Sequence, residues 1–272
     1  MCRILKVSRS GYYAWRNRPE SPQRMENRRL DATIKDIYIT SRGRYGSPKI
    51  TAELRERGWR VGKNRVACRM RKAGLRSVVR RKFRPTTNSR HRYPVAPNLL
   101  ERDFTAREPN QIWVSDITYI PTSSGWQYLT VFIDLFSRLV VGWALSSSLS
   151  HEMTLLALNR AIGRRKPPQG LVIHSDQGVQ YACGAFTEVI EKHGFVQSMS
   201  RKGDCWDNAV AESFFNLLKS ELVYQSRFID NNDALHQIFE YIEIFYNRER
   251  RHSTLNFLTP NKLEKINSDL CA

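Results

Sequence analysis

Three acidic residues far apart in the chain, Asp116, Asp176 and Glu212, could together do chemistry that none does alone. Asp116 lies in WVSDITYI, where the alternation Ile112, Val114, Asp116, Thr118 sets it on one strand face among apolar neighbours. A charge there is costly unless it is ligated or paired. Asp176 follows directly on the apolar run of LVIHSDQGVQY, with Gly178 just behind it; a lone acid there is ordinarily a turn residue or a cap. Glu212 belongs to DNAVAESFFNLLK. Ala211, Phe215, Leu218 and Leu222 make an apolar helical stripe, while Glu212, Asn216 and Lys219 share a separate polar one. The aromatics anchor such a helix and leave Glu212 facing a cleft or solvent. Three carboxylates gathered in one place repel each other unless cations sit between them. Hard oxygen ligands suit Mg²⁺ or Mn²⁺. Two such ions about 4 Å apart can bind the attacking and leaving oxygens of a phosphodiester.

Whether the acids meet depends on the elements that carry them. IWVSDITYI, WQYLTVFID and RLVVGWAL are strand-like runs separated by the turn-like PTSSG and LFS, which predicts an antiparallel meander. A helix is expected over 151–165, a fourth strand over Leu171–His174, a helix over 184–193, a fifth strand over Phe195–Met199, and long helices over 208–223 and 231–248. The pattern is α/β: a mixed five-stranded sheet flanked by helices, the ribonuclease H-like fold. In that topology the first and fourth strands are neighbours, Asp116 and Asp176 converge, and the Glu212 helix crosses beside them. His174 has two open readings, a support for a metal site or a satisfied strand-end histidine.

The formal charge of +18 is unevenly spread. Residues 1–100 hold 27 Lys and Arg against 6 Asp and Glu, whereas residues 101–272 hold 17 against 20. A basic first third on a near-neutral remainder points to a polyanionic partner, most simply nucleic acid. That first third reads as a small all-α region. Ser8 caps a short helix carrying Tyr12, Tyr13 and Trp15, and a second helix runs over 27–40 through Leu30, Ile34 and Ile37. Ser47-Pro48 reads as an N-cap with proline at the first helical position. Gly58 ends that helix, WRVGK turns, and a further helix runs from Asn64 to Ala73 before Gly74. Two short helices across a tight turn resemble a helix-turn-helix. Arg65, Arg69 and Lys72 share one face of the second and are the expected DNA contacts; Val66, Met70 and Ala73 share another. The resulting division is a helical region at 1–77, a basic, proline-containing extended linker at 78–107, and a catalytic core with a helical tail at 108–272. Five scattered cysteines without C-x-x-C or zinc spacing fit a reduced cytosol. The apolar runs are too short to span a bilayer.

Over almost its whole length the sequence resembles the DDE transposases and retroviral integrases, most closely the catalytic B subunit of insertion-sequence-three-type transposases. The resemblance is carried by SRSGYYAW, SRGRYGSPKI, WVSDITYI, VIHSDQGVQY, SMSRKGDCWDNAVAESFF and YNRERRHSTLNFLTP. Asp176 and Glu212 leave 35 residues between them, the D-D-35-E arrangement of that family. It implies that Asp116, Asp176 and Glu212 are a metal-binding catalytic triad for DNA cleavage and strand transfer. It implies further that Lys219, seven after the glutamate, touches the element end. Gly203, Asp204, Trp206, Asp207 and Asn208 match the family's GDxWDN stretch, in which Asp207 or Asn208 can cap the Glu212 helix. The basic tail, with Arg250 and Arg251, is implied as a further DNA contact. There Asn256-Phe257 replaces a Gly-aromatic pair, and Asn tolerates the left-handed backbone such a turn uses. The implied partners are element and target DNA, an upstream A subunit or a frameshift fusion with it, and further copies of the chain on DNA. The implied location is the cytoplasm, on the nucleoid when DNA-bound. On the residues alone three rivals stay open: a non-catalytic DNA-binding regulator, a structure-selective nuclease that cuts without joining, and a decayed, inactive copy, against which the intact triad argues.

Overall fold

A computed structural model describes residue 2 and residues 4–78, 94–201 and 205–271. The chain divides into two compact units, Met1–Val78 and Val79–Ala272.

The first unit is all-helical: α1 (Arg9–Arg16), α2 (Pro22–Thr40), α3 (Ser47–Glu56) and α4 (Lys63–Lys72). Side-chain caps start the first two. Ser8 Oγ accepts from Gly11 N and Ser21 Oγ from Arg24 N, each satisfying an otherwise orphaned helix-start amide. α2 buries Leu30, Ile34 and Ile37, a one-face spacing, against the partners supplied by α3 and α4: Ile50, Leu54, Val66 and Met70. The start of α3 differs from expectation by one residue. Gly46 holds the cap position, while Ser47 is already helical and its carbonyl accepts from Thr51 Oγ1. Gly58 (φ +87°) and Gly74 (φ +69°) supply the left-handed backbone that ends α3 and α4.

The second unit is built on a five-stranded sheet in the order β3-β2-β1-β4-β5. Its strands are β1 (Ile112–Thr122), β2 (Gly125–Asp134), β3 (Val140–Ser146), β4 (Val172–Ser175) and β5 (Val196–Met199). β1, β2 and β3 form the expected antiparallel meander, and β4 and β5 add in parallel beyond β1. Helices cover both faces, so the central strands bury side chains on each: Trp113, Val114 and Ser115 in succession are inaccessible. α5 (His151–Arg165) lies on β3 and β2, α6 (Val179–Ala182) and α7 (Gly184–Lys192) follow β4, and α8 (Ala209–Leu218) packs on β1. α8 continues into a π-helical turn at Lys219–Val223. α9 (Asn231–Phe239) likewise widens at Glu240–Glu249, and α10 (Pro260–Cys271) closes the chain. The sequence reading did not foresee α6 and α10. Among the described residues no helix is long and apolar enough to cross a membrane.

α5 approaches the sheet closely because β3 carries Gly142. A Cβ there would collide with the Ala157 carbonyl oxygen and lie 2.6 Å from Ala161 Cβ, within the main core cluster. Backbone cannot yield as a flexible side chain can. Gly142→Ala is therefore expected to destabilise the unit by about 1–3 kcal/mol through overpacking, read as a lower thermal midpoint by circular dichroism.

Two further differences concern the linker and the tail. Residues 79–93 of the expected linker lie outside the described residues. Its second half is not a free extended arm. Met199 N donates to the Pro97 carbonyl, Leu99 N donates to Ser198 Oγ, and Leu100 is buried, so this segment lies along β5 as part of the sheet unit. In the tail, Asn256 (φ +51°) does adopt the left-handed conformation, and Phe257 (φ +63°) does so as well.

Candidate active site

The register of β1 against β4 brings the first two acids together. Val114 pairs with His174, the last paired positions of the two parallel strands; Asp116 stands two residues further along β1, and Asp176 follows directly on the end of β4. Both side chains are half-buried. Asp116 Oδ1 accepts from the Ile117 amide at 2.8 Å. Asp176 Oδ1 accepts from the Gly178 amide at 3.0 Å, an Asx turn. The need for glycine at 178 is spatial. Its backbone is ordinary, but a Cβ would stand 3.0 Å from Asp176 Oδ1 and crowd the carboxylate.

Glu212 arrives on the first turn of α8, also half-buried, and the helix is fastened to the strands that hold the other two acids. Asn208 occupies the N-cap position yet makes no capping bond. Its Nδ2 instead donates to the Ser115 carbonyl of β1 at 3.1 Å. His174, fully buried on β4, bridges Ser198 Oγ on β5 (2.9 Å from Nδ1) and the Asp207 carbonyl (2.9 Å from Nε2). A carbonyl can only accept, so Nε2 carries the proton and Nδ1 accepts from Ser198, whose oxygen in turn accepts from the Leu99 amide. Burial lowers the His174 pKa and keeps this ring neutral. His174 is thus a strand-end connector that positions α8.

Asp207 does not cap α8 either. Fully buried, it accepts from Asn98 Nδ2, Arg102 Nε and three donors of Arg201, and this clamp holds its carboxyl well below the ordinary 3.8. A depressed folded pKa adds stability that is complete above the unfolded value and is lost as pH falls through the folded one. Asp207→Asn is expected to cost about 1–3 kcal/mol at neutral pH. It should also remove part of the acid-side fall in stability below about pH 4, measured by thermal melts across acidic pH.

The acids interact electrostatically. Burial first, and then the charges of Asp176 and Glu212, push the Asp116 carboxyl well above its ordinary range. The Lys219 ammonium, seven residues on from Glu212, opposes this, and burial depresses its own pKa. Burial alone raises Glu212. Tyr181 of α6, which sequence reasoning did not single out, is fully buried and close enough to the acids for their charges to act on it. Its hydroxyl lies 2.8 Å from Ser115 Oγ, and burial together with Asp176 and Asp116 pushes its pKa far up, so it stays a neutral phenol. The only sequence signal for it is its place in VQY, five residues after Asp176. Among the described residues no group of three or more His, Cys, Asp or Glu side chains is drawn together closely enough to hold a metal ion as it stands. The donor types nonetheless suit a divalent ion, since all three are carboxylates.

The other predicted contacts separate sharply. Arg250 is corrected. It is 3% exposed, its guanidinium grips Glu221 through Nε and Nη2 (2.8–3.3 Å), and Tyr241 Oη completes the pair at 2.9 Å from Glu221. The family resemblance implied a DNA contact here, but Arg250, at the C-terminal end of the π-helical stretch, is held in a buried ion pair. Arg251, half-buried, donates to the Phe257 carbonyl across the left-handed turn. Arg65 and Arg69 also turn out differently. Arg65 bonds Asn27 and Glu26, and Arg69 forks onto Asp31, all on α2, so the face they share is directed at the protein. Lys72 is exposed. Gly203 and Asp204 lie outside the described residues.

The comparisons agree with this architecture. Residues 25–83 match the HTH-like domain family, and residues 106–205 and 193–260 match two families each described as Integrase core domain. A 31 kDa protein of insertion element IS600 from Shigella sonnei is 44% identical over 260 residues, covering 96% of each chain. Transposase InsF for insertion sequence IS3A of Escherichia coli (strain K12) is 42% identical over 269 residues, covering 98% of this chain and 93% of that one. In fold alone, the chain is like one from the cryo-EM structure of the simian T-cell lymphotropic virus intasome in complex with PP2A regulatory subunit B56 gamma. The TM-score there is 0.50 at 16% identity, over 85% of this chain and 74% of that one. With integrase core and HTH-like segments in order and near-full-length identity to InsF, the chain belongs to the IS3 family of insertion-sequence transposases, within the DDE transposase and integrase superfamily.

Proposed function

We propose that Asp116, Asp176 and Glu212 are the catalytic centre with which this transposase cuts DNA at element ends and joins the freed 3′ ends to target DNA. What supports the reading is the β1–β4 pairing next to Asp116 and Asp176, together with the charges of Asp176 and Glu212 acting on Asp116. The three carboxylates would hold two Mg²⁺ (or Mn²⁺) ions, which when bound supply activation of an attacking oxygen and stabilisation of the departing 3′ oxygen. The chain's own part is positioning. Asp116 and Asp176 are oriented by the Ile117 and Gly178 amides, and Glu212 is fixed by the Asn208 and His174 ties between α8 and the sheet. Lys219 places a cation beside Asp116, suited to a phosphate of the bound end. Lys72 and Arg251 are proposed as outer phosphate contacts. No covalent protein intermediate is needed, because water or a 3′-hydroxyl attacks in line.

The assembly is completed by an upstream A subunit or a fusion with it and by further copies of the chain on two DNA ends, in the cytoplasm. The test is strand transfer of a pre-cut 3′-hydroxyl element end with Mg²⁺, comparing wild type with Glu212→Gln. Joining by wild type and loss in the variant are expected. Cutting without joining would mark a nuclease, and equal activity in both would reject the centre.

A further inference from the structure

Among the described residues, one face of α4 in the helix-turn-helix makes no side-chain hydrogen bond or ion pair. α4, KNRVACRMRK, has five basic residues and no acidic one. Its first face, Val66 and Met70, is buried against α2 and α3. Its second, Arg65 and Arg69, is tied to Glu26, Asn27 and Asp31 of α2. The third, Asn64, Ala67, Cys68 and Arg71, follows the i, i+3, i+4, i+7 spacing of a single stripe. Asn64, Cys68 and Arg71 on it are exposed, bordered by exposed Lys63 and Lys72. Among the described residues, the side chains of Lys63, Asn64, Arg71 and Lys72 make no hydrogen bond or ion pair.

We infer that this third face, and not the Arg65–Arg69 face, reads DNA sequence from the major groove, with Asn64 and Arg71 as the specificity-determining side chains. The inference rests on the chain acting on DNA and deepens that reading. Three properties of the face suit a duplex groove. Its centre is small (Ala67, Cys68), so the helix backbone can approach the base edges, and a groove about 12 Å wide admits a helix of about that diameter. Its two ends carry the side chains whose geometry matches bases two bonds at a time, Asn for adenine and Arg for guanine. Its borders are cationic, Lys63 and Lys72, where the phosphate walls would run. A folded protein gains little from leaving an Asn and three cations of one helix unpartnered, whereas the neighbouring arginines of the same helix are held by acids. Asn64 and Arg71 are seven residues apart, about 10.5 Å along the axis, or about three base-pair steps. The site should therefore carry an adenine and a guanine separated by about that interval.

The experiment uses the full chain in EDTA, so that binding is read without cleavage, and a duplex pool with a randomised core. Wild type is expected to enrich a motif. Asn64→Ala and Arg71→Ala should each bind the selected duplex about tenfold or more weakly, each relaxing preference at a different base, while their affinity for unselected duplex changes less than about threefold. Lys35→Ala, on the exposed side of α2, should change neither. In parallel, alkylation of Cys68 by N-ethylmaleimide, followed by peptide mapping, should slow when the selected duplex is added. Variants that melt like wild type yet keep the selected affinity would overturn the inference, as would an unprotected Cys68 or a wild type that enriches nothing. Glu212→Gln separates the two readings: it should bind the selected duplex as wild type does, whatever it does to strand transfer.

Discussion

Glu212→Gln is expected to reduce Mg²⁺-dependent cleavage and joining by about a thousandfold or more, equivalent to ~4 kcal/mol of transition-state stabilisation. Gln keeps the volume and one acceptor oxygen but removes the charge, so α8, its ties to Ser115 and His174, and the sheet beneath should persist. DNA binding in EDTA should be unchanged. A second readout does not depend on turnover. Asp116 is half-buried, and both burial and its acidic neighbours raise its pKa, so its ionised form works against folding. Asp116→Asn is therefore expected to leave the metal-free thermal midpoint equal or higher. Added Mg²⁺ should raise the midpoint of wild type by mass action on the folded state and leave that of Asp116→Asn nearly unmoved. A variant that loses activity and also melts several degrees lower in EDTA would show that the acid serves the fold. A wild type insensitive to Mg²⁺ and Mn²⁺ would show that the carboxylates hold no ion.

Arg250→Met is expected to destabilise the sheet unit by about 3–5 kcal/mol, because it strands a buried carboxylate. Glu221 is 8% exposed, and its partners include Arg250 and the Tyr241 hydroxyl. Burial opposes the charged guanidinium, but Glu221 outweighs it and raises the Arg250 pKa overall. Removing the cation leaves Glu221 to take up a proton or draw in water. The double variant Arg250→Met/Glu221→Gln should recover much of the loss, since a neutral amide can keep the Tyr241 bond without a buried charge. The size of the recovery, read from denaturant midpoints of the single and double variants, measures the coupling. A phosphate contact at Arg250 would instead leave stability unchanged and weaken DNA binding in a salt-dependent way.

The strands were legible because they leave strong local marks. β-branched and aromatic runs bounded by Gly, Ser and Pro gave β1 to β3 nearly to the residue, and the polar stripe of α8 gave the side on which Glu212 stands. The roles of Asp207, Asn208 and His174 were not legible. Each satisfies a partner about 20 to 110 residues away, or a backbone atom of another strand, and no local period records such pairings. Arg65, Arg69 and Arg250 misled for the same reason. A basic residue on a helix looks alike in sequence whether it faces a phosphate or an acid of the next helix. The linker misled because proline and positive charge mark an extended chain, and an extended chain can equally run alongside a sheet edge, as Pro97 to Leu99 does beside β5.

By itself the sequence determined which residue types were available for chemistry, their order, the periodicity that makes each element, and the concentration of positive charge at one end. Those are properties of neighbours along the chain. Tertiary structure alone decided that Val114 pairs with His174, so that the charge of Asp176 acts on Asp116, that Tyr181 is buried where both acids act on it, and which of the basic side chains are already spent on protein acids. Register and ion pairing are settled by contacts between distant segments, whose energies depend on burial and mutual distance once the chain has closed on itself.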